Sequence, residues 1–291
     1  LRKRISMTEE LSHDGMDDLK RLTFDILKMT VATELIGALL LALAFSRYYS
    51  PGLAVWYGLF HSVMAFCNSG FDIVSTEGTS YCMFAEDPFI LIVTMLLIVL
   101  GGIGFRVVAD IAHNRRWRKL RLHTKIVIPL TAALILIGAV GIFAAEFDNP
   151  ETIGNMSVGN KIVNAFFQSV TARTAGFASF SQSGMTTFSQ TLTIVLMFIG
   201  VCPGSTGGGI KTTTMFVLLV TIYATLSHKR EVVIDMRSIG RETISKAATI
   251  FTLAVCVAAI SAMALNIACG AQCTSSASLF GQVRADAPVG L

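Results

Sequence analysis

The chain has 291 residues, 53% of them apolar and only 14% charged, with a formal net charge of +4. That balance excludes a soluble globular domain and places the chain among membrane proteins. The six cysteines lie mostly in or beside apolar runs and form no CxxC pair, so neither a disulfide framework nor a metal site is implied.

In chain order, apolar runs at residues 26–45, 88–105, 126–147, 191–226 and 247–268 are each long enough to span a bilayer. Residues before 26 are charged and mixed, and no small-residue cleavage site follows a short apolar core, so none of the runs reads as a cleavable signal. Glu34 falls inside the first run, where a carboxylate is costly; a functional role and a bond to a neighbouring helix are equally open. Next, Phe60-His61-Ser62-Val63-Met64-Ala65 leads to Gly70-Phe71, which predicts a short helix over 56–66 and then a turn. His61 reads as a packing or hydrogen-bonding residue rather than an ion ligand. At the inner end of the second span, Gly101-Gly102-Ile103-Gly104 implies close helix packing. The basic cluster at 115–121 reads as a cytoplasmic orientation signal with lipid contact, not as a nucleic-acid patch.

The pattern then returns. Phe167-Gln168-Ser169-Val170-Thr171-Ala172 repeats Phe, Ser, Val and Ala at the same steps and reaches Gly176-Phe177, predicting a second short helix over 158–172. Each copy sits between two spans, so the unit is helix, re-entrant loop, helix. The second unit ends unusually: one helix over 186–226 would be ~60 Å long, about twice the hydrocarbon thickness. It must break at Gly200-Val201-Cys202-Pro203-Gly204-Ser205-Thr206-Gly207-Gly208-Gly209, where proline and glycine weaken helix. Unpaired backbone at membrane depth is tolerated only inside protein or beside water, so the break implies an aqueous path. A third copy begins with a span over 243–268 and continues through Phe280, Val283 and Ala285 toward Gly290. The expected organisation is 1–20 as the inner end of a preceding unit, 21–110 and 111–230 as two whole units, and 231–291 as the start of another.

Alternating sides along this plan puts most of the 23 Lys and Arg residues on one face, which the positive-inside rule makes cytoplasmic. Arg47, Lys161, Arg173 and Arg284 fall on the other face, with Lys211 in the broken helix.

The pairing of Phe167–Phe177 with Pro203-Gly204-Ser205-Thr206-Gly207-Gly208-Gly209-Ile210-Lys211 resembles the third repeat of the Trk/Ktr potassium transporter family. The resemblance implies an all-α polytopic membrane protein whose repeated units surround a pseudo-fourfold pore. Of its four units this chain holds two whole ones and part of a third. It implies a potassium filter with Asn68, Ser69 and Gly70 in one quarter, Thr174, Ala175 and Gly176 in the next, and Gly290 in another. Arg284, Asp286, Ala287 and Pro288 depart from the family pattern around Gly290. It also implies a gating loop of Gly200, Pro203, Gly204, Ser205, Thr206, Gly207, Gly208, Gly209 and Lys211. Backbone carbonyls at the C-terminal ends of the short helices would replace the water of a potassium ion, which the helix dipoles favour. In the family, glycine at these positions accompanies potassium preference and serine at one of them sodium. Lys211 either faces the ion path or snorkels to the inner interface. Arg106 stands where the family has proline. The family further implies a bacterial inner-membrane location, a homodimer and a cytoplasmic ring of nucleotide-binding RCK-type subunits, with K+ as cargo, no cofactor and no enzymatic activity.

Other readings remain at this stage. A P-loop needs Lys directly after its last glycine, and Ile210 intervenes before Lys211. An ion-coupled transporter of another substrate also uses broken helices, though its repeats are often inverted rather than alike in orientation. An intramembrane enzyme lacks an acid pair or a Ser/His dyad. A nonconducting fragment of a four-repeat transporter is the remaining alternative.

Overall fold

The computed structural model describes residues 16–74, 80–228, 233–234 and 237–269. The expectations for the first fifteen residues, for a further pore loop at 279–291 and for Gly290 lie outside them. The described chain is helical: α1 (Met16–Phe45), α2 (Pro51–Phe66), α3 (Pro88–Gly102), α4 (Phe105–His113), α5 (Leu122–Glu146), α6 (Val158–Thr171), α7 (Thr187–Phe198), α8 (Thr212–Leu226) and α9 (Arg241–Cys269). A minimal hairpin, β1 (Val233–Ile234) with β2 (Arg237–Ser238), precedes α9. The helical membrane fold expected from the sequence is the one observed.

Among the described residues, three helices are long and apolar enough to cross a membrane: Thr23–Phe45, Leu122–Glu146 and Arg241–Ser261, with mean hydropathies of 1.9, 2.6 and 1.8. On α1, Phe24, Leu27, Val31, Leu35, Leu39 and Leu43 recur at helical spacing and stay exposed, a row suited to lipid. Leu41, Ala44 and Phe45 turn inward to the core. By contrast α7 and α8, of 12 and 15 residues, are shorter apolar helices. At ~18 and ~22 Å neither crosses the hydrocarbon alone. The expected break therefore falls where proline and glycine put it, between Phe198 and Thr212.

The second span departs from expectation. It ends as a helix at Gly102 rather than continuing to Phe105, and the chain bends by 95° into α4. The cause lies at Gly104, whose φ of +94° is left-handed, and whose backbone is wedged against the Pro203 carbonyl. The short helix α2 also starts earlier than the expected residue 56, because Ser50 is extended and Pro51 at the first helical position presets the turn.

The order long helix, short helix, second helix occurs twice. Helix α1 packs on α2 and α5 on α6, while α3 packs on both α2 and α6 and so joins the two groups. Aromatic rings fill the junction, with Tyr81 centred 5.0 Å from Phe177 and 6.2 Å from Phe167. At one end of each group a buried carboxylate ties the first helix to the second. In the first, Asp87 caps α3 by accepting from the Phe89 and Ile90 amides, and holds Tyr48 Oη at 3.1 Å and Arg47 Nη2 at 3.3 Å. In the second, the carboxylate belongs to the end of α5. Glu146 accepts from the Thr186 amide at 2.9 Å and its hydroxyl at 2.7 Å, from Asn149 Nδ2 at 2.6 Å and from Thr152 Oγ1 at 2.7 Å. Thr186 is the cap of α7.

Candidate functional site

Both short helices end in the same backbone figure. After α2, Asn68 and Gly70 have φ of +52° and +66°; after α6, Thr174 and Gly176 have φ of +74° and +91°. In each loop, left-handed residues alternate with one ordinary residue, Ser69 or Ala175. Each helix end is closed by an amide reaching back five residues: Ser69 N donates to the Met64 carbonyl at 3.0 Å, and Gly176 N to the Thr171 carbonyl at 3.3 Å. Glycine is required at position 70 for a second reason. A Cβ there would run into the Ala175 carbonyl oxygen and the Gly176 backbone, so the two loops touch backbone to backbone.

The structure thus brings Asn68, Ser69 and Gly70 against Thr174, Ala175 and Gly176. Asn68 and Thr174 are 4% and 0% exposed, yet Asn68 Oδ1 and Thr174 Oγ1 have no hydrogen-bond partner. Such orphaned oxygens are uncommon in folded proteins.

The segment between α7 and α8 lies against these loops. Ile199 and Ile210 pair as a parallel bridge, so residues 200–209 make a closed excursion and the chain leaves in the direction it entered. Thr206 carries the docking: its hydroxyl donates to the Phe66 carbonyl at 2.9 Å and accepts from Asn68 Nδ2 at 2.8 Å, while its amide donates to the Gly101 carbonyl at 3.2 Å. Gly207 abuts the Thr174 hydroxyl so closely that a Cβ would collide with it. The Cys202 amide donates to the Gly102 carbonyl at 3.1 Å, and the Phe105 amide to the Gly204 carbonyl at 2.9 Å. Ser205 bonds locally, donating to the Cys202 carbonyl at 2.5 Å. Lys211 is half-buried and turned back into the segment, where its ammonium donates to the Gly207 carbonyl at 2.7 Å. It does not snorkel to a surface.

Glu34 and His61 resolve as bonding residues. The Glu34 carbonyl accepts from Ser62 Oγ at 2.7 Å, and its carboxylate faces Cys67 Sγ at 3.9 Å. His61 is fully buried, with Nδ1 2.8 Å from the Tyr57 carbonyl and Nε2 2.6 Å from Asp72 Oδ1. The tight packing expected at Gly101 is present, since a Cβ there would overlap the Phe66 carbonyl.

Arg173 is a residue whose contact the sequence did not convey. Counted with the outward-facing cations, it is in fact 5% exposed, with Nη2 donating to the Gly200 carbonyl at 3.3 Å. The helix break leaves carbonyls without helical partners, and a guanidinium at the end of α6 meets one of them. The signal was its place inside the repeated motif, directly before Thr174.

A family model described as a cation transport protein, TrkH, matches residues 1–291. The chain belongs to the TrkH family. It is 35% identical over 265 residues to the potassium/sodium uptake protein NtpJ of Enterococcus hirae, covering 90% of this chain and 58% of that protein. It is 34% identical over 267 residues to the Ktr system potassium uptake protein B of Bacillus subtilis, covering 92% of this chain and 59% of that protein. The crystal structure of the potassium transporter TrkH from Vibrio parahaemolyticus superposes with a TM-score of 0.65 at 20% identity, over 88% of this chain and 53% of that one. The chain therefore spans less than two thirds of the length of these TrkH-family relatives and shares their fold.

Proposed function

We propose that this chain forms two adjoining quarters of a potassium-uptake pore, with residues 21–110 and 111–230 as the two units. Asn68, Ser69, Gly70, Thr174, Ala175 and Gly176 are its filter segments, and the segment from Gly200 to Gly209, with Lys211, is its gate. The observation that carries this reading is the contact of two loops with the same alternation of left-handed residues at the C-terminal ends of two short helices. Such ends carry partial negative charge, and carbonyls aimed from them replace an ion's hydration shell. The unpartnered Asn68 Oδ1 and Thr174 Oγ1 add oxygens at the side of the filter that meets the gate. The relatives' names, potassium uptake and potassium/sodium uptake, support a monovalent cation as cargo.

The pore works as a homodimer on a cytoplasmic ring of nucleotide-binding subunits, a reading supported by the resemblance and by the exposed basic residues Arg115, Arg116, Arg118 and Lys119 between α4 and α5. The test is potassium and sodium flux into proteoliposomes, for the chain with and without the sequence flanking it in its gene, each as the natural form and as Gly176→Ser. Potassium flux with a preference that Gly176→Ser reduces is expected. A preference indifferent to Gly176 removes the filter assignment.

A further inference from the structure

We propose that His61 is a positioning residue for ion selectivity, bracing the filter segments of both quarters from behind; the inference rests on the pore reading above. His61 stands on α2 with no exposed surface, and each ring nitrogen meets an acceptor. The Tyr57 carbonyl can only accept, so Nδ1 carries a hydrogen. Asp72 Oδ1 already takes the Val74 amide at 2.9 Å, and its contact with Nε2, at 2.6 Å, is just shorter than the usual charge-assisted N–H···O bond. A proton therefore lies between ring and carboxylate. The imidazole is fixed at one nitrogen by its own helix and at the other holds the chain two residues beyond Gly70.

The same ring reaches the neighbouring quarter. Its centroid is 6.4 Å from that of Phe177, the residue after Gly176, and 5.4 Å from Tyr81, which packs on Phe177. A shift of His61 is thus felt behind both glycines.

The second unit supplies an internal comparison. Gln168 occupies the step of the repeated motif that His61 occupies in the first, and it too has no exposed surface. Its Nε2 donates to Gln182 Oε1 at 2.8 Å, and Gln182 Nε2 returns a bond at 3.2 Å. Gln182, like Asp72, lies beyond its unit's filter glycine. A position kept only for packing would take an aliphatic residue at lower desolvation cost. Both units instead place a polar side chain there and use it to hold the chain leaving the filter. Carbonyl rings discriminate between cations by the number and placement of their oxygens, so a brace on the returning chain acts on selectivity.

The experiment measures the potassium-to-sodium permeability ratio in proteoliposomes, at matched amounts of folded protein, for the protein with its native flanking sequence. Variants are His61→Ala, Asp72→Ala, the double variant, His61→Gln and Gly70→Ser. Loss of a charge-assisted bond of this kind is expected to lower the ratio about tenfold in either single variant. The double variant should be no worse than the singles, because both remove one interaction. His61→Gln, which keeps a donor toward Asp72, should restore the ratio to within about twofold of the natural protein. Unchanged selectivity in both single variants, or independent losses that multiply in the double, overturns the brace. If His61→Ala does not accumulate as folded protein, Asp72→Ala and His61→Gln decide the matter alone. Gly70→Ser separates the two levels. A ratio that responds to Gly70 but not to His61 or Asp72 refutes only the brace, and a ratio indifferent to Gly70 refutes the pore reading and the brace together.

Discussion

Gly101 and Gly159 are both helical glycines, but a methyl group added to each meets different surroundings. At Gly101 it overlaps the Phe66 carbonyl, at the end of the helix that leads to the proposed first filter segment; at Gly159 nothing lies within 4 Å. Gly101→Ala must move either α3 or α2, at a cost of about 1–3 kcal/mol. Potassium uptake is expected to fall at least severalfold in cells carrying Gly101→Ala and to stay normal with Gly159→Ala, which rubidium uptake would measure. Thr206 sits at the other side of the same contact. Thr206→Val keeps its shape but leaves the Phe66 carbonyl and the Asn68 amide only their own long contact of 3.4 Å, at a cost of about 1–3 kcal/mol. With its docking bonds gone the gate segment should release, and the expected result is a raised basal potassium leak in proteoliposomes lacking regulatory subunits. An unchanged or lower leak would mean that Thr206 supports conduction rather than closure. Much at this scale was readable in advance: Gly70 and Gly176, both at positive φ, stood out because the motif occurs twice. Arg173 did not, because its partner is a backbone carbonyl 27 residues further along and carbonyls leave no mark in a sequence.

Among the elements, the break in the long second helix was the most legible, since Pro203 and five neighbouring glycines leave few other outcomes. What composition did not convey was the parallel pairing of Ile199 with Ile210, which closes the excursion at its neck. The Thr212 amide, at the start of α8, adds a bond to the Val201 carbonyl at 3.2 Å. The bend at Gly104 was missed for a related reason: three close glycines read equally well as helix packing and as a helix end, and only the approach of Pro203 and Gly204 from the segment between α7 and α8 decides for the end. Among the inter-helix ties, Glu146 accepts four hydrogen bonds while fully buried. Glu146→Gln replaces one accepting oxygen with a donor that faces donors. A loss of about 2–4 kcal/mol is expected, seen as a lower melting temperature of the detergent-solubilised protein. Asn149→Ala, which removes one of the four partners, should cost clearly less.

For the whole molecule, the sequence's most consequential statement was which side faces in. That assignment places Ser46, just past the end of α1, outside, and Arg116, between α4 and α5, inside. Ser46→Cys is expected to react with an impermeant maleimide on intact cells, and Arg116→Cys only after permeabilisation, with the natural protein, which has six cysteines of its own, as the labelling background. The reverse pattern would invert the pore. The repeat itself was legible as two copies of one motif, and the fold sets them side by side with α3 between. Their ties are not copies of each other. The first unit has its acid at the start of the second helix and its donors past the first, whereas the second unit has the acid at the end of the first helix and its donor at the start of the second. A hybrid unit made of α5 and α3 would therefore bring Glu146 to Asp87, two carboxylates at one joint, and the opposite hybrid of α1 and α7 would bring donors to donors. Built on one motif, the two halves are not spare parts for one another.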